Sequence, residues 1–452
     1  MVIATGGKFM TDISQFKKNN QIKPPLIGEY IVKNYNNKYH FRLIEDNKEI
    51  WRYDEDEGIY RNDAEDIIMN ITQCLLAVES KDFYIKEVVK WFKNLRTKKG
   101  LVGKDTEYLI DRSKLNPDPK YLCLNNGVFD LNKSKIHKHS YKYKLIKKLP
   151  INYKDGAKSG KIDKFIKELF NNQDDRDIIQ EMFGYTLWSN YNGNKAFILV
   201  GPGSNGKSTL LSVLRKMLGN RNTTAVSLDN ITSGHRFMAV ELYGKMANIS
   251  IELGKSALRN TKIFKEATGK DKMMGEKKGK DPIVFENHAK LIFAVNHVPK
   301  SNDTSAAFYR RWVPVEFNNT FAGTKADTDL VSKITTNHIM SAWFNWSVEG
   351  LNRLRKNNWR FTGGWTAKDV EKWWNYNTSQ IFRFIKEKYK IDTQHIIDKK
   401  DVYSEYQKYC KNKNQVSMQY NEFCKKIYNE SPFDIKEVTK SGQRVWKGIK
   451  EK

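Results

Sequence analysis

The stretch Lys195-Ala196-Phe197-Ile198-Leu199-Val200-Gly201-Pro202-Gly203-Ser204-Asn205-Gly206-Lys207-Ser208-Thr209 runs from an apolar strand through a glycine-rich loop into a helix. Four consecutive apolar residues, Phe197 to Val200, suit a strand of a parallel sheet covered on both faces. Beyond the loop, Leu210, Leu211, Leu214, Met217 and Leu218 recur at helical spacing, and Gly219 is placed to stop the helix. The pattern G-x-x-x-x-G-K-[ST] is met at Gly201, Gly206, Lys207 and Ser208. Its chemistry is that of a phosphate cradle: glycines admit close approach of backbone N–H groups, and the helix N-terminus adds favourable partial charge. Lys207 reaches the β- and γ-phosphates of a nucleoside triphosphate, and Ser208 ligates its Mg²⁺. The binding residues expected from the pattern are Gly201, Pro202, Gly203, Ser204, Asn205, Gly206, Lys207, Ser208 and Thr209. The loop alone does not say what hydrolysis would drive.

The rest of the composition narrows the class. A chain of 452 residues, 39% hydrophobic, holds enough apolar material for about two to four domains. No apolar run approaches the roughly 18 residues of a membrane helix, and the start MVIATGGKFMTDISQFKKNN turns polar at once. The expectation is a soluble, intracellular protein with no membrane partner. Cys74, Cys123, Cys410 and Cys424 stand far apart with no C-x-x-C pair, which disfavours a zinc site or a disulfide framework. Lys and Arg number 79 against 52 Asp and Glu, a net charge of +27 spread along the chain. Such an excess points to a polyanionic partner; a lysine-rich codon bias is the alternative source.

Residues 1–25 are polar and lysine-rich, and 26–115 read as a small mixed α+β domain. Leu26 to Val32, Ile67 to Ala77 and Phe83 to Leu95 carry helical patterning; His40 to Ile44 and Glu49 to Tyr53 read as strands. Asp54-Glu55-Asp56 has the D-x-D spacing of paired metal ligands, but it lies in an acidic turn and is read as solvated. Residues 121–131 form a hairpin around Asn126-Gly127, and 161–190 are helical. After the loop, Lys245 to Glu252 suggests a second core strand ending in a carboxylate that can polarise an attacking water or else be a surface acid. Lys272 to Phe285 reads as a hairpin whose tip carries Lys277, Lys278 and Lys280, suited to track a phosphate backbone or simply solvated. Ala289 to Asn296 is a third apolar strand ending in an amide able to bond the water or the γ-phosphate, or to cap a turn. Arg310 and Arg311 precede a strand at Trp312 to Val315; arginine there suits a finger for a neighbouring subunit's nucleotide or a surface salt bridge. Trp343, Trp346, Leu351 and Leu354 continue a helix, and Gly363-Gly364 marks a break. In the tail, helices at Val402 to Cys410 and Tyr420 to Tyr428 and a hairpin turning at Ser441-Gly442 outline a winged helix, a module of DNA or protein contact.

Taken in order, the loop with Asn205, the phrase Phe237-Met238-Ala239-Val240-Glu241-Leu242-Tyr243-Gly244-Lys245, Glu252, Thr268-Gly269-Lys270-Asp271, Asn296 and Arg310-Arg311 resemble the superfamily 3 helicases. The likeness is strongest to the phage and plasmid primase-helicase family, related to the poxvirus-type nucleoside triphosphatases. Tyr121 to Tyr153 looks like the helical-collar region that precedes the motor there, and the tail looks like its winged helix. The resemblance implies a ring, usually a homo-hexamer, that pulls one strand of a forked DNA through its channel while hydrolysing ATP with Mg²⁺ at subunit interfaces. By position it makes Glu252 the water-activating acid and, with Ser208, metal support. Asn296 becomes the polar sensor, Lys277, Lys278 and Lys280 the single-stranded-DNA contacts, Arg311 the first choice of trans finger and Arg310 the second.

The fold expected is therefore α/β: a P-loop, AAA+-like parallel-sheet motor at 191–360, preceded by a mixed α+β unit (26–115) and a helical collar (116–190), and followed by a winged helix (361–452). Two departures qualify the likeness. Many relatives carry an acidic pair at the end of the second strand, and Ile251 stands where the first acid would be. There is also neither room nor a metal triad for a primase, so priming falls to a separate primase or polymerase. The competing readings are a replication initiator with a mainly structural ATP site and a P-loop kinase for a small acceptor.

Overall fold

The protein is described by a computed structural model covering residues 12–95, 108–116, 118–232, 236–251, 258–276, 279, 282–321, 327, 329–413, 415–430, 434–440 and 442–452. Apolar runs that allow no inside-outside alternation assemble its central element, a five-stranded parallel sheet. In chain order the parts that build and cover it are helices α1 (Gly160–Leu169) and α2 (Gln173–Leu187), strand β1 (Ala196–Val200), helix α3 (Lys207–Leu218), and strands β2 (Thr223–Thr224) and β3 (Ala247–Ser250). They continue with a hairpin of β4 (Lys272–Gly275) and β5 (Ile283–Glu286), strands β6 (Lys290–Val295) and β7 (Trp312–Glu316), and helices α4 (Asn337–Lys356) and α5 (Ala367–Thr378). The sheet order is β2-β3-β6-β1-β7, with every neighbouring pair parallel.

Alternate residues of each strand feed opposite faces of this sheet. Phe197 and Leu199 enter a core with Leu210, Leu211 and Leu214 of α3 and with Trp343, Phe344 and Leu351 of α4. Ala196 and Ile198 enter another, with Phe264, Phe293, Phe308, Trp312 and Trp374. There the Trp312 ring stacks on Phe264 at 4.5 Å, and Trp374 donates its indole N–H to the Pro299 carbonyl at 2.9 Å. Truncating one such buried aromatic would cost about 3–5 kcal/mol. Helices α2 and α4 are tied by a buried ion pair: Glu181 accepts from Arg353 Nε at 2.8 Å and from the Thr362 N–H at 2.9 Å and hydroxyl at 2.8 Å.

Ahead of the sheet lies the mixed unit. Helices Pro24–Tyr39, Ala64–Leu76 and Asp82–Lys93 bury Ile27, Ile31, Ile68, Val88 and Phe92. Its four short strands run in the order 59–61, 50–54, 42–44, 109–110. The Asp54 carboxylate is spent on Arg52 at 3.1 Å and Arg61 at 3.7 Å. Residues 116–190 combine strands with helices. Strands Tyr121–Leu124, Gly127–Asp130 and Lys135–His137 form an antiparallel meander, and helix begins only at α1. The meander packs into the motor core, Phe129 meeting Phe344 edge-on at 5.1 Å.

The expected boundary at residue 361 is displaced. Gly363 and Gly364 do break the chain, both at positive φ, but α5 folds back onto the sheet through Trp374. The C-terminal unit has its own core from Ile381 onward. Its elements run helix Gln380–Lys388, strand Tyr389–Asp398, helices Lys399–Asn412 and Tyr420–Glu430, and strands Lys436–Lys440 and Gln443–Glu451. The strand at 389–398 pairs antiparallel with 443–451, which also pairs with 436–440. Among the described residues no helix is long and apolar enough to cross a membrane.

Candidate nucleotide site

In a parallel sheet with helical crossovers, ligands gather at the carboxyl ends of the strands. Strand β1 sits between β6 and β7 and delivers its loop there. The Gly201 N–H donates to the Val295 carbonyl of β6 at 3.2 Å, and the Phe317 N–H donates back to Val200 at 2.7 Å. Gly201 is obligatory by space, since a Cβ on it would lie 2.2 Å from Asn205 Nδ2 and 2.5 Å from the Phe317 carbonyl oxygen. Gly206 is obligatory by conformation: its φ is 83°, and its Cβ would meet Leu169 Cδ2 at 2.3 Å. Gly203 has nothing within 4 Å of where a Cβ would be.

Helix α3 begins at Lys207 directly after the left-handed Gly206, so the N–H groups of its first turn have no helical acceptor and face the loop. Lys207 is buried, 6% exposed, and its ammonium donates to the Gly201 carbonyl at 2.6 Å, Asn205 Oδ1 at 2.9 Å and the Pro202 carbonyl at 3.2 Å. Burial pulls its pKa below the usual lysine range. Asn205 is buried too, its amide reaching the Phe317 carbonyl at 3.3 Å. Pro202, Gly203, Ser204 and Ser208 are exposed around this centre, with Thr209 half-buried. The loop is thus a cradle closed by a lysine that rests on two main-chain oxygens and one side-chain amide oxygen, and an anion with better acceptors can take those three bonds over. The residues present suit a triphosphate and a magnesium ion on these grounds: two glycines that admit no side chain, unpaired N–H groups and an exposed Ser208 hydroxyl at the helix start.

Asn296 directly follows β6, exposed, one residue beyond the carbonyl that receives the Gly201 N–H. Arg215 of α3 donates to the Ile249 carbonyl at 2.5 Å and so fixes the end of β3 beside the loop. Ile251, in place of an acid, packs against the core. Glu252 lies outside the described residues, as do Lys277, Lys278 and Lys280; the strands of the hairpin that bears these lysines are in place, with Lys272 opposite Glu286 and Gly275 opposite Ile283.

The arginine pair is not part of the chain's own loop. The Ala196 N–H donates to the Arg311 carbonyl at the amino end of β1, so Arg310 and Arg311 lie a strand length, about 16 Å, from the loop. The two differ in exposure. Arg311 is 8% exposed and turned inward, donating to Thr268 Oγ1 at 2.9 Å, to the Lys265 carbonyl at 3.3 Å and to the Ala307 carbonyl. Arg310 is the one with its side chain exposed.

One feature of the site escaped the sequence reading. A cavity of about 560 Å³ opens beside Ser204, Gly206 and Thr209, walled by Phe165 and Leu169 of α1 and by Phe321, Leu330 and Ile334. Its walls come from segments far apart in the chain, and no local pattern marks them.

Two stretches of the chain match known families. Residues 28–171 match the family described as "D5 N terminal like", and residues 199–311, which hold the loop, match a family of unknown function, DUF5906. The search of curated proteins found no match. Among solved structures, the apo A form of the NrS-1 C-terminal region is similar at 11% identity over 95% of this chain and 99% of the other, with a TM-score of 0.46. Another structure of that region, residues 305–718, is 10% identical over 94% of this chain and 100% of the other, with a TM-score of 0.48.

Proposed function

We propose that the chain is the motor of a replication system of a virus, plasmid or other mobile element: an ATP-dependent DNA helicase that works as a ring, most simply a hexamer. The observation that carries the reading is the loop, with its two obligatory glycines and Lys207 held at its centre. The match of residues 28–171 to a D5 N terminal like family and the resemblance to superfamily 3 helicases support placing that loop in a replication protein.

On this reading Lys207 exchanges its carbonyl partners for phosphate oxygens, and the N–H groups at the start of α3 orient the anion for in-line attack. Ser208, with Glu252, holds Mg²⁺, which when bound neutralises phosphate charge. Glu252 accepts the proton of the attacking water, and Asn296 orients it. The base occupies the cavity walled by Leu169 and Phe321, whose volume suits a purine and whose apolar walls are rimmed by charged side chains such as Lys161 and Asp327. Since the arginine pair lies at the opposite end of the sheet from its own loop, Arg310 serves the loop of a neighbouring copy, while Arg311 holds the turn that presents it. Lys277, Lys278 and Lys280 contact the translocating strand, and the C-terminal unit acts as a winged helix at the duplex.

Electron microscopy of the protein with a non-hydrolysable ATP analogue and forked DNA tests this. Rings threaded by one strand are expected. Particles that remain monomeric under those conditions would overturn the trans arrangement.

A further inference from the structure

A cavity of about 460 Å³ lies away from the loop, between the mixed N-terminal unit, the segment following the meander and the base of the β4–β5 hairpin. Charged side chains in its wall include Asp46, Asp111, Arg112, Lys147, Lys272 and Glu286. Two of the three acids are already engaged. Asp46 takes two bonds from Arg112, at 2.8 and 2.7 Å, and Asp111 turns back onto the Ser113 N–H at 2.8 Å and hydroxyl at 2.5 Å. Glu286, exposed, stands opposite Lys272 in the backbone register of the hairpin. Arg112 also donates to the Tyr243 hydroxyl at 2.8 Å and lies 3.7 Å from the Glu49 carboxylate.

The buried charge that remains is basic. Lys290, fully buried behind the cavity, is satisfied by the carbonyls of Trp188, Asn190 and His288 at 2.8–2.9 Å and by the rings of Tyr185 and Tyr191. Lys147 is different: it is 5% exposed, lines the cavity, and makes no hydrogen bond or ion pair with any described residue. Beside it, the buried Nδ1 of His288 also has no partner. Burial brings Lys147 down to about 8, and burial with the two nearby lysines brings His288 down to about 3. A buried ammonium without a counter-charge is costly, and folding keeps this one next to an empty polar chamber.

We infer that this chamber is a second anion site, which seats one phosphate group between Lys147 and His288 at the base of the β4–β5 hairpin. Lys147 donates to the phosphate oxygens and His288 donates through Nδ1, which removes both unpaired groups at once. The phosphate is carried either by a nucleic-acid backbone passing the hairpin or by a free ion. The seat stands whether or not the Gly201–Ser208 loop binds a nucleotide.

The test is equilibrium dialysis of radiolabelled orthophosphate against the full chain carrying Lys207→Ala, which disables the loop as a competing site. One bound equivalent is expected; adding Lys147→Met should weaken it by about tenfold or more, and Lys147→Arg should preserve it. Undiminished binding in the Lys147→Met chain, or none with Lys147 intact, overturns the assignment. Displacement of the label by oligothymidylate assigns the phosphate to a strand; retention assigns it to a free ion. Should the Met variant not fold, crystals of the unaltered chain soaked in tungstate decide: an anomalous peak within bonding range of Lys147 Nζ supports the site, and a peak at the loop alone refutes it.

Discussion

Replacing each of three glycines in one loop by alanine should give three different results, for reasons visible in the geometry. At Gly201 the new methyl would sit 2.5 Å from the Phe317 carbonyl oxygen, a backbone atom that cannot swing aside, and 2.2 Å from Asn205 Nδ2. Relief requires the loop to shift away from β7, an overpacking cost of about 1–3 kcal/mol. It also displaces Asn205, whose Oδ1 holds Lys207 at 2.9 Å, so nucleotide affinity should fall by about tenfold or more. At Gly206 the methyl meets only the movable end of Leu169, but a left-handed alanine costs about 1–2 kcal/mol. At Gly203 neither penalty applies, and the stiffer unfolded chain should leave stability unchanged or raised by up to about 1 kcal/mol. Thermal unfolding with and without ATP reads both effects; the Gly201→Ala midpoint should drop by roughly 2–10 °C while Gly203→Ala stays near the parent. Equal losses at Gly203 and Gly201, or a Gly201→Ala chain that binds ATP normally, would refute the reasoning.

Two further outcomes follow from the same structure. Arg310→Ala should leave the melting temperature within the equivalent of about 0.5 kcal/mol yet abolish ATP turnover in the assembled state, whereas Arg311→Ala should cost about 2–3 kcal/mol because its three partners lose a buried donor; stability changes in the opposite order would restore Arg311 as the exposed finger. His40 stacks on Tyr141 at 3.6 Å, and burial, helped by Arg42, lowers its pKa to about 4. Between that value and its unfolded value near 6.5 the unfolded chain binds more protons, so the stability is present above pH 6.5 and lost as pH falls toward 4. The loss, on the order of 1 kcal/mol by pH 5, should be flattened in His40→Asn, which tolerates the left-handed backbone at this position, and urea titrations across pH 5–7 would show it.

Much of the motor was legible because its strands are buried on both faces and so carry undiluted apolar runs: β1, β3 and β6 all fall inside the stretches read as strands. The loop was legible because two of its residues can only be glycine. Strand Tyr389–Asp398 was not, since a register shift between Asp392 and Ile396 breaks the period-two alternation on which strand reading rests. Gly363-Gly364 was correctly read as a break and wrongly as a boundary, because what returns α5 to the sheet is the long-range contact of Trp374 with Phe308 and Trp312. The inward turn of Arg311 likewise depends on Thr268 and Lys265, more than 40 residues away along the chain. Local pattern marks which residues carry chemistry; it does not show which of two adjacent arginines faces solvent.

The central claim is that the Gly201–Ser208 loop hydrolyses ATP in the service of DNA movement. Steady-state ATP turnover by the unaltered and Lys207→Ala chains, each with and without single-stranded DNA, addresses it most directly. The account predicts turnover that rises on adding DNA and disappears with Lys207. Hydrolysis at the parental rate in the Lys207→Ala chain, or an unaltered chain that binds ATP without turning it over, would contradict it.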